Sequence, residues 1–446
     1  MLAASLLATA AVAFSQGAAT AIPPVAAPSR ESRTVRLTVA QMFRLAEVAQ
    51  SRGDLNTVAA IYSALESNPD SDVRAEARFR HAKQYMELNR NRDAAVLLRR
   101  ILDEKPEATS VRLELAHLLQ VLGDSDGALR QLRAAQAAGL PASVARMVDR
   151  YSEALRAARP TGASFEIAMA PDSNINHATR SDTLGTVLGD FDIGQDSKAR
   201  AGLGLSVRGQ AYRRFAIGNS DHNVLVRASG YGDLYARTRF NDIAADIAAG
   251  PEFRIGRTQV NLEIGATQRW FGQKPSVRSL RVGATLAKPL GNRMQLRLNG
   301  SASLIDNQFN DVQDGKAYSG QIGIERALSA TTGIALNLGI DRQSLKDPGY
   351  STTGWRGGIT GWRDVGRATL TAGLQLGRLE ADERLALFPH KREDRYRSFT
   401  VGATFRQFTF GGFAPVARLT VERNKSSVEF YDYSRTRTEL AIVRAF

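Results

Sequence analysis

The feature that most restricts how this chain can fold is a change of hydrophobic period at Arg159-Pro160-Thr161-Gly162. Upstream, apolar residues recur every three or four positions, as in Met42, Leu45, Ala46, Ala49 and again in Leu97, Leu98, Ile101, Leu102. That spacing lays one apolar stripe along a helix. Downstream they recur at every second position. Val260, Leu262, Ile264 and Ala266 alternate with Asn261, Glu263, Gly265 and Thr267, and Met294, Leu296, Leu298 alternate with Gln295, Arg297, Asn299. The same holds for Ala368, Leu370, Ala372, Leu374 and Leu376 against Thr369, Thr371, Gly373, Gln375 and Gly377. A period of two makes strands with one oily and one polar face. The chain therefore predicts two unlike bodies, a helical one over 37–159 and a β one over 163–446.

The β block reads as about fourteen strands, many of ten or more residues, joined by short turns such as Leu290-Gly291-Asn292 and Ala330-Thr331-Thr332. Strands of soluble sandwiches average about five or six residues, whereas a strand crossing a bilayer at a tilt needs roughly 9 to 11. Length thus selects a transmembrane antiparallel β-barrel. Beyond the amino terminus no run approaches the roughly 18 apolar residues of a membrane helix, so any crossing is made by strands. The polar faces carry Arg208, Arg254, Glu263 and Arg297, which suit a wet lumen and not lipid. Tyr235, Trp270, Phe271, Tyr350 and Trp355 fit interfacial girdles, with packing among loops the alternative for any one of them. The two longer polar connections, Thr179 to Lys198 and Glu380 to Glu393, are expected on one side of the membrane as functional loops.

In the helical block, stops at Gly53-Asp54, Asn68-Pro69, Lys105-Pro106, Gly123-Asp124 and Gly139-Leu140-Pro141 divide the segment into roughly seven helices. A shift of about 34 residues places Arg78 on Arg112, Ala82 on Ala116, Tyr85 on Leu119, Ala94 on Ala128 and Leu98 on Leu132. Small residues that admit close helix contact, with Pro106 and Pro141 closing the units, resemble tetratricopeptide repeats. Two units fit well, and a third over Val39 to Pro69 fits with a gap. The resemblance implies a solenoid whose concave face holds peptides or partner proteins, with Phe79, Lys83, Met86, Leu113 and His117 as the candidate client groove. The alternative is a plain helical bundle. The expected fold is thus a multi-domain α + β protein, a tetratricopeptide-like helical solenoid followed by the barrel.

Met1 to Ala21 is small and apolar and ends in Ala19-Thr20-Ala21, a cleavage pattern. We expect a signal peptide over 1–21 and a Pro/Ala-rich disordered linker over 22–36. No Lys or Arg precedes Arg30, so the basic segment usual in such signals is missing and the true start is open. The alternative is a disordered Ala-rich tail.

Chemistry is excluded more easily than assigned. The absence of cysteine removes disulfides, thiolate metal sites and thiol nucleophiles. A net charge of +14 is spread without a Lys/Arg block, so no nucleic-acid partner is implied, although an acidic client is favoured. There is no H-E-x-x-H, G-x-S-x-G or P-loop, and His81, His117, His177, His222 and His390 lack ligand spacing. Glu380-Ala381-Asp382-Glu383 and Glu393-Asp394 read as solvated loop charge. No catalytic residue, metal or cofactor is expected.

The most distinctive run is Ala170-Pro171-Asp172-Ser173-Asn174-Ile175-Asn176, at the end of the first expected strand. Asp, Ser and Asn side chains bond neighbouring backbone, so a barrel-rim turn is one reading. Placed between tetratricopeptide-like helices and a fourteen-stranded barrel, the run also resembles the surface lipoprotein assembly modifier family, Slam, on Pro171, Asp172, Ser173, Asn174 and Asn176. The resemblance implies an outer-membrane translocon that moves surface lipoproteins or secreted haem-binding proteins outward; with the signal peptide, it would work beyond the inner membrane, where ATP is absent, with its helices in the periplasm. Its implied partners are the client, outer-membrane lipid, periplasmic chaperones and the barrel assembly machinery. It further implies that the motif marks the chain's passage into the barrel. Leu440, Ile442 and Phe446 resemble the terminal strand by which outer-membrane barrels are recognised for insertion, with Arg444 a departure from that pattern. The competing readings are a polysaccharide exporter, which likewise joins such helices to a barrel, and a diffusion porin with a docking domain.

Overall fold

The computed structural model describes residues 36–138, 140, 148, 161–218, 222–408 and 413–444. Within them are six helices, α1 (Val39–Ser51), α2 (Leu55–Leu65), α3 (Ser71–Glu87), α4 (Asn91–Glu104), α5 (Thr109–Leu122) and α6 (Ser125–Ala137). The ends follow from local chemistry. Thr38 and Gln41 form a reciprocal capping box, the Asp54, Asp70 and Asp124 side chains accept the first free N–H groups of α2, α3 and α6, and Gly123 ends α5 in the left-handed region at φ 102°. A further stop, Asn89 at φ 58°, separates α3 from α4. The closest packing is within α3/α4 and α5/α6, and α4 packs on α5 as closely as α1 does on α2.

Repeat-related positions occupy matching environments: Ala82 and Ala116, Ala94 and Ala128, and Leu98 and Leu132 are buried in one continuous core. Tight alanine contacts let the helices approach while Leu98, Ile101, Leu115, Leu118 and Leu132 supply the apolar filling. Truncating one of these leucines to alanine costs about 2–5 kcal/mol in a well-packed core. The seventh expected helix, the signal over 1–21, nearly all of the linker over 22–36 and Phe446 lie outside the described residues.

The strands of the barrel are β1 (Thr161–Asp172), β4 (Gly202–Ala216), β5 (Asn223–Tyr235), β6 (Asp242–Ile255), β7 (Thr258–Phe271), β8 (Lys274–Leu290), β9 (Met294–Asn307), β10 (Gly315–Ala327), β11 (Thr332–Leu345), β12 (Thr352–Val365), β13 (Ala368–Ala381), β14 (Glu393–Phe405), β15 (Phe413–Ser426) and β16 (Tyr433–Arg444). These fourteen close antiparallel, with β1 paired to both β4 and β16, while β2 (Thr183–Thr186) and β3 (Gly189–Asp192) form a separate hairpin. Closure removes both sheet edges, the condition for a sheet to stand in lipid.

Side-chain alternation sorts the wall as expected. Leu262, Ile264, Leu336, Leu338, Ile340, Leu370, Leu374 and Leu376 stand exposed on the outside, Ile264 at 70%. The inner face pairs its charges, as in Arg214–Glu252 at 2.7 Å, Arg227–Glu263 at 2.7 Å and Arg281–Asp246 at 3.1 Å. Trp355 faces outward, as a girdle residue does, but Tyr235 does not. It is buried with Ile175 and Phe240, because the strand face that carries it also carries Asp233 and looks inward.

One rim carries short turns, such as those linking β6 to β7, β8 to β9 and β12 to β13, and the other carries the longer connections. Residues 179–198 and 380–393 both lie on the long-loop rim, where the Val187 N–H donates to the Leu387 carbonyl at 3.1 Å. The helices sit at the short-turn rim, tied by Arg133–Glu325 at 2.5 Å and Arg406–Asp103 at 2.6 Å.

Candidate functional site

The motif ends β1 and knits it to both neighbours at the long-loop rim. Asp172 is fully buried. One carboxylate oxygen accepts the Asn174 N–H at 2.9 Å, while the other receives Arg435 Nε at 2.9 Å and Nη2 at 2.5 Å. Ser173 trades two bonds with Thr436, its N–H donating at 3.0 Å and its Oγ accepting at 2.8 Å. Asn174 Nδ2 donates to the carbonyls of Ala178 (2.8 Å) and Ser434 (3.1 Å), and its Oδ1 accepts the Ala178 N–H at 3.0 Å. Asn176 holds the approach to β4, donating to the Lys198 carbonyl at 2.8 Å and accepting from the Arg200 N–H at 3.1 Å. The motif is therefore a rim clamp. It lies one strand beyond the helices, on the opposite rim, because β1 must cross the wall before the motif begins; it does not mark the mouth that the helices face.

The clamp sits at the weakest seam of the barrel. β1 pairs with β4 along its whole length, from Thr161↔Arg213 to Asp172↔Gly202. Against β16 it pairs from Glu166↔Val443 to Met169↔Leu440, then breaks at Ala170 and Pro171 and resumes at Asp172↔Arg437. Pro171 has no N–H to give to a ladder. Charge replaces the missing backbone bonds on the inner face. Arg418 of β15 reaches over β16 to Glu166 at 3.3 Å and also meets Glu439 at 2.6 Å, and Arg208 of β4 meets Glu439 at 3.3 Å from the other side. Nearer the rim, Arg437 donates to Asp233 at 2.8 Å and forms an ion pair with Glu439 at 3.1 Å. Half-wet ion pairs contribute little each, but they fix register: a slip of one residue would turn Glu166 toward lipid.

At the other end, the expected groove residues fall partly together. Phe79, Met86 and Leu113 are half-buried against the helical core, and Lys83 bridges α3 to α5 through Glu114 at 2.6 Å while lying over the Phe79 ring. His117 is exposed on α5. Next to the barrel, burial raises the Asp103 carboxyl above its usual range despite Arg406 beside it, and burial pulls Arg112 down to about 10, still protonated at neutral pH. Inside the barrel a cavity of ≈ 600 Å³ follows β10 to β14, lined mainly by uncharged polar groups such as Gln321, Asn337, Thr371 and Gln375 between glycines 320, 339, 358 and 373, with Asp341 and Arg356 as its charged members. The lumen is thus two-sided, ion-paired along β4 to β8 and at the seam, and open, mostly amide- and hydroxyl-lined with several glycines along β10 to β14.

A family model described as surface lipoprotein assembly modifier matches residues 163–446, well over half of the chain and all of the barrel but the first two residues of β1. The chain belongs to the surface lipoprotein assembly modifier family. Among characterised relatives of that family, the surface lipoprotein assembly modifier 1 of Haemophilus influenzae is 22% identical over 180 residues, 40% of this chain; the match spans 36% of that relative's length. Among solved structures, Acinetobacter baumannii OccAB1 is 10% identical, covers 64% of this chain and 96% of its own, and has a TM-score of 0.33. Pseudomonas aeruginosa OpdK with vanillate is also 10% identical, covers 64% and 98%, and has a TM-score of 0.35. The barrel of this family member is an outer-membrane barrel.

Leu440 and Ile442 face outward, 57% and 59% exposed, on the last strand of this barrel. Sequence reading passed over the partners of the motif. Arg435, Arg437 and Glu439 alternate along β16 in a strand otherwise read for its apolar end, and that alternation was the available signal for an inward charge row.

Proposed function

We propose that this protein moves a client surface lipoprotein, or a related secreted protein, from the periplasm to the cell surface, and that its helical half receives the client and passes it into the barrel. The observation that carries the reading is the family match over the barrel, joined to a helical body seated on the short-turn rim. Short turns face the periplasm in barrels of this kind, so the helices meet a client before it reaches the membrane. In this proposal the three helix pairs act as tetratricopeptide-like units, and Phe79, Lys83, Met86, Leu113 and His117 hold an extended segment. The client then runs along the amide and glycine wall of the lumen, where polar groups exchange hydrogen bonds with a moving backbone and no apolar patch retains it. The seam opposite stays shut, clasped by its charges and by the rim motif. Folding of the client outside supplies direction, since no nucleotide-binding motif is present in the chain.

The test is deletion of 37–159. The barrel alone should still insert, while surface display of the client is lost; unchanged display would refute the division of labour.

A further inference from the structure

Between the helices and the barrel mouth lies a second cavity of ≈ 330 Å³, lined by Arg99, Arg112, Arg130 and Arg133 from α4, α5 and α6, against Glu325 and Asp364 from the barrel. Both carboxylates are already engaged, Glu325 by Arg133 at 2.5 Å and Asp364 by Arg406 at 2.8 Å. Among the described residues no carboxylate lies within ion-pair distance of Arg99 or Arg112, and Asp124 approaches Arg130 only to 3.9 Å. Arg112 is 2% exposed; it donates to Gln131 Oε1 at 2.7 Å and to the Pro106 carbonyl at 2.8 Å, both neutral, and its Nε has no partner. The Nε of Arg99 is likewise buried and unpaired. A buried cation without an anion is costly, which makes the missing partner a question the fold has to answer.

The repeat supplies a control within the same chain. Arg78, one unit earlier, is equally buried but meets Glu104 at 2.8 Å and Glu66 at 3.9 Å. Moving each of those acids along by the same 34 residues that carry Arg78 onto Arg112 lands on Arg100 and Ala138. The unit beside the barrel has the arginine but no carboxylate at the two equivalent positions.

We propose that this junction cavity binds an acidic peptide segment, taking Asp or Glu carboxylates onto Arg99, Arg112 and Arg130. The proposal rests on the delivery reading above and names the chemistry of what is delivered. Guanidinium forks match carboxylates in two-point geometry. The volume is at the lower end for ligand sites, enough for a short stretch of chain and not for a folded domain. Trp362 forms an aromatic wall beside the arginines, seated over Gly333, where a Cβ would come within 2.2 Å of the indole. Thr371 lines both this cavity and the lumen cavity, so a segment held here lies in line with the barrel interior. Phosphates of lipid headgroups stand at the outer perimeter, whereas Trp362, Thr369 and Thr371 belong to the inner face, and this favours a peptide over a lipid.

The test uses the full chain in detergent and two short fluorescein-labelled peptides, one alternating Asp with Ser and the other with every Asp replaced by Asn. The Asp peptide should bind in a salt-sensitive way, with affinity about tenfold weaker in the Arg99→Gln, Arg130→Gln double variant, which leaves the hydrogen bonds of Arg112 in place. Equal binding of the two peptides, or unchanged affinity in the double variant, overturns the proposal. So does stronger competition by glycerophosphate than by glutarate, which would assign the cavity to a lipid headgroup. Arg99→Met should hold or raise the melting temperature while weakening the peptide; a lowered melting temperature with unchanged affinity would make Arg99 a structural strut and also overturn it. Binding is read on purified protein, so its failure alongside display that still needs 37–159 removes this site alone, and intact binding alongside display that ignores 37–159 removes only the delivery reading.

Discussion

Asp172 and Arg435 are 263 residues apart in the chain and 2.5 Å apart in the fold. Removing one member of a buried pair strands the other, at about 3–5 kcal/mol, so Asp172→Asn should lower barrel stability by that order, measured by urea unfolding or by loss of heat-modifiable gel mobility. Adding Arg435→Gln to Asp172→Asn should cost less than the sum of the two single changes, because the pair shares one interaction. Asp172 was legible as a rim residue, since its type and its Pro171 neighbour mark a turn. Its partner was not, because only barrel closure brings the last strand to the first. A second residue carries a pH dependence. Burial opposes ionisation of Glu104, but hydrogen bonds from Arg74 and Arg78 outweigh it and hold its carboxyl below the usual range. A depressed pKa gives stability that is present above the ordinary glutamate value and lost as the pH falls through the folded one. Glu104→Gln should therefore cost about 1–2 kcal/mol at neutral pH and progressively less in acid, read by thermal melts across pH.

Among the elements, the strands were the more readable. A period of two needs only the residues of one strand, and it gave the outward and inward faces of β7, β9 and β13 directly. Ile264, mid-strand and outward, tests that assignment: Ile264→Arg should cost about 2–4 kcal/mol or prevent insertion, while Asn337→Arg on the lumen face should be tolerated in the same folding assay. Tyr235 was misread as a girdle residue because aromatic type near a strand end does not say which face is turned inward. The break between α3 and α4 was also hidden. Leu88-Asn89-Arg90 offers neither Gly nor Pro, and the stop depends on Asn89 accepting a left-handed backbone, which asparagine tolerates better than most residues. The burial of Ala82, Ala94, Ala116 and Ala128, by contrast, was visible in sequence, because small residues recur where helices touch.

At the scale of the molecule, the helical body and the barrel were each legible and their junction was not, since Arg133 with Glu325 and Arg406 with Asp103 are matched only when the helices sit on the mouth. On the proposed route a client passes through that junction and along the lumen while the seam stays closed. Ala168 and Ala441 face each other across the seam, and the chain has no cysteine of its own, so a disulfide between Ala168→Cys and Ala441→Cys is a clean lock. Display should continue with the lock oxidised; its abolition, restored by reductant, would move the route from the lumen to the seam. The most direct measurement of the central claim is protease shaving of intact cells that express a client surface lipoprotein with and without this chain. The client should be cleaved from outside only when the chain is present, and equal cleavage in its absence, or full protection in its presence, would contradict the account.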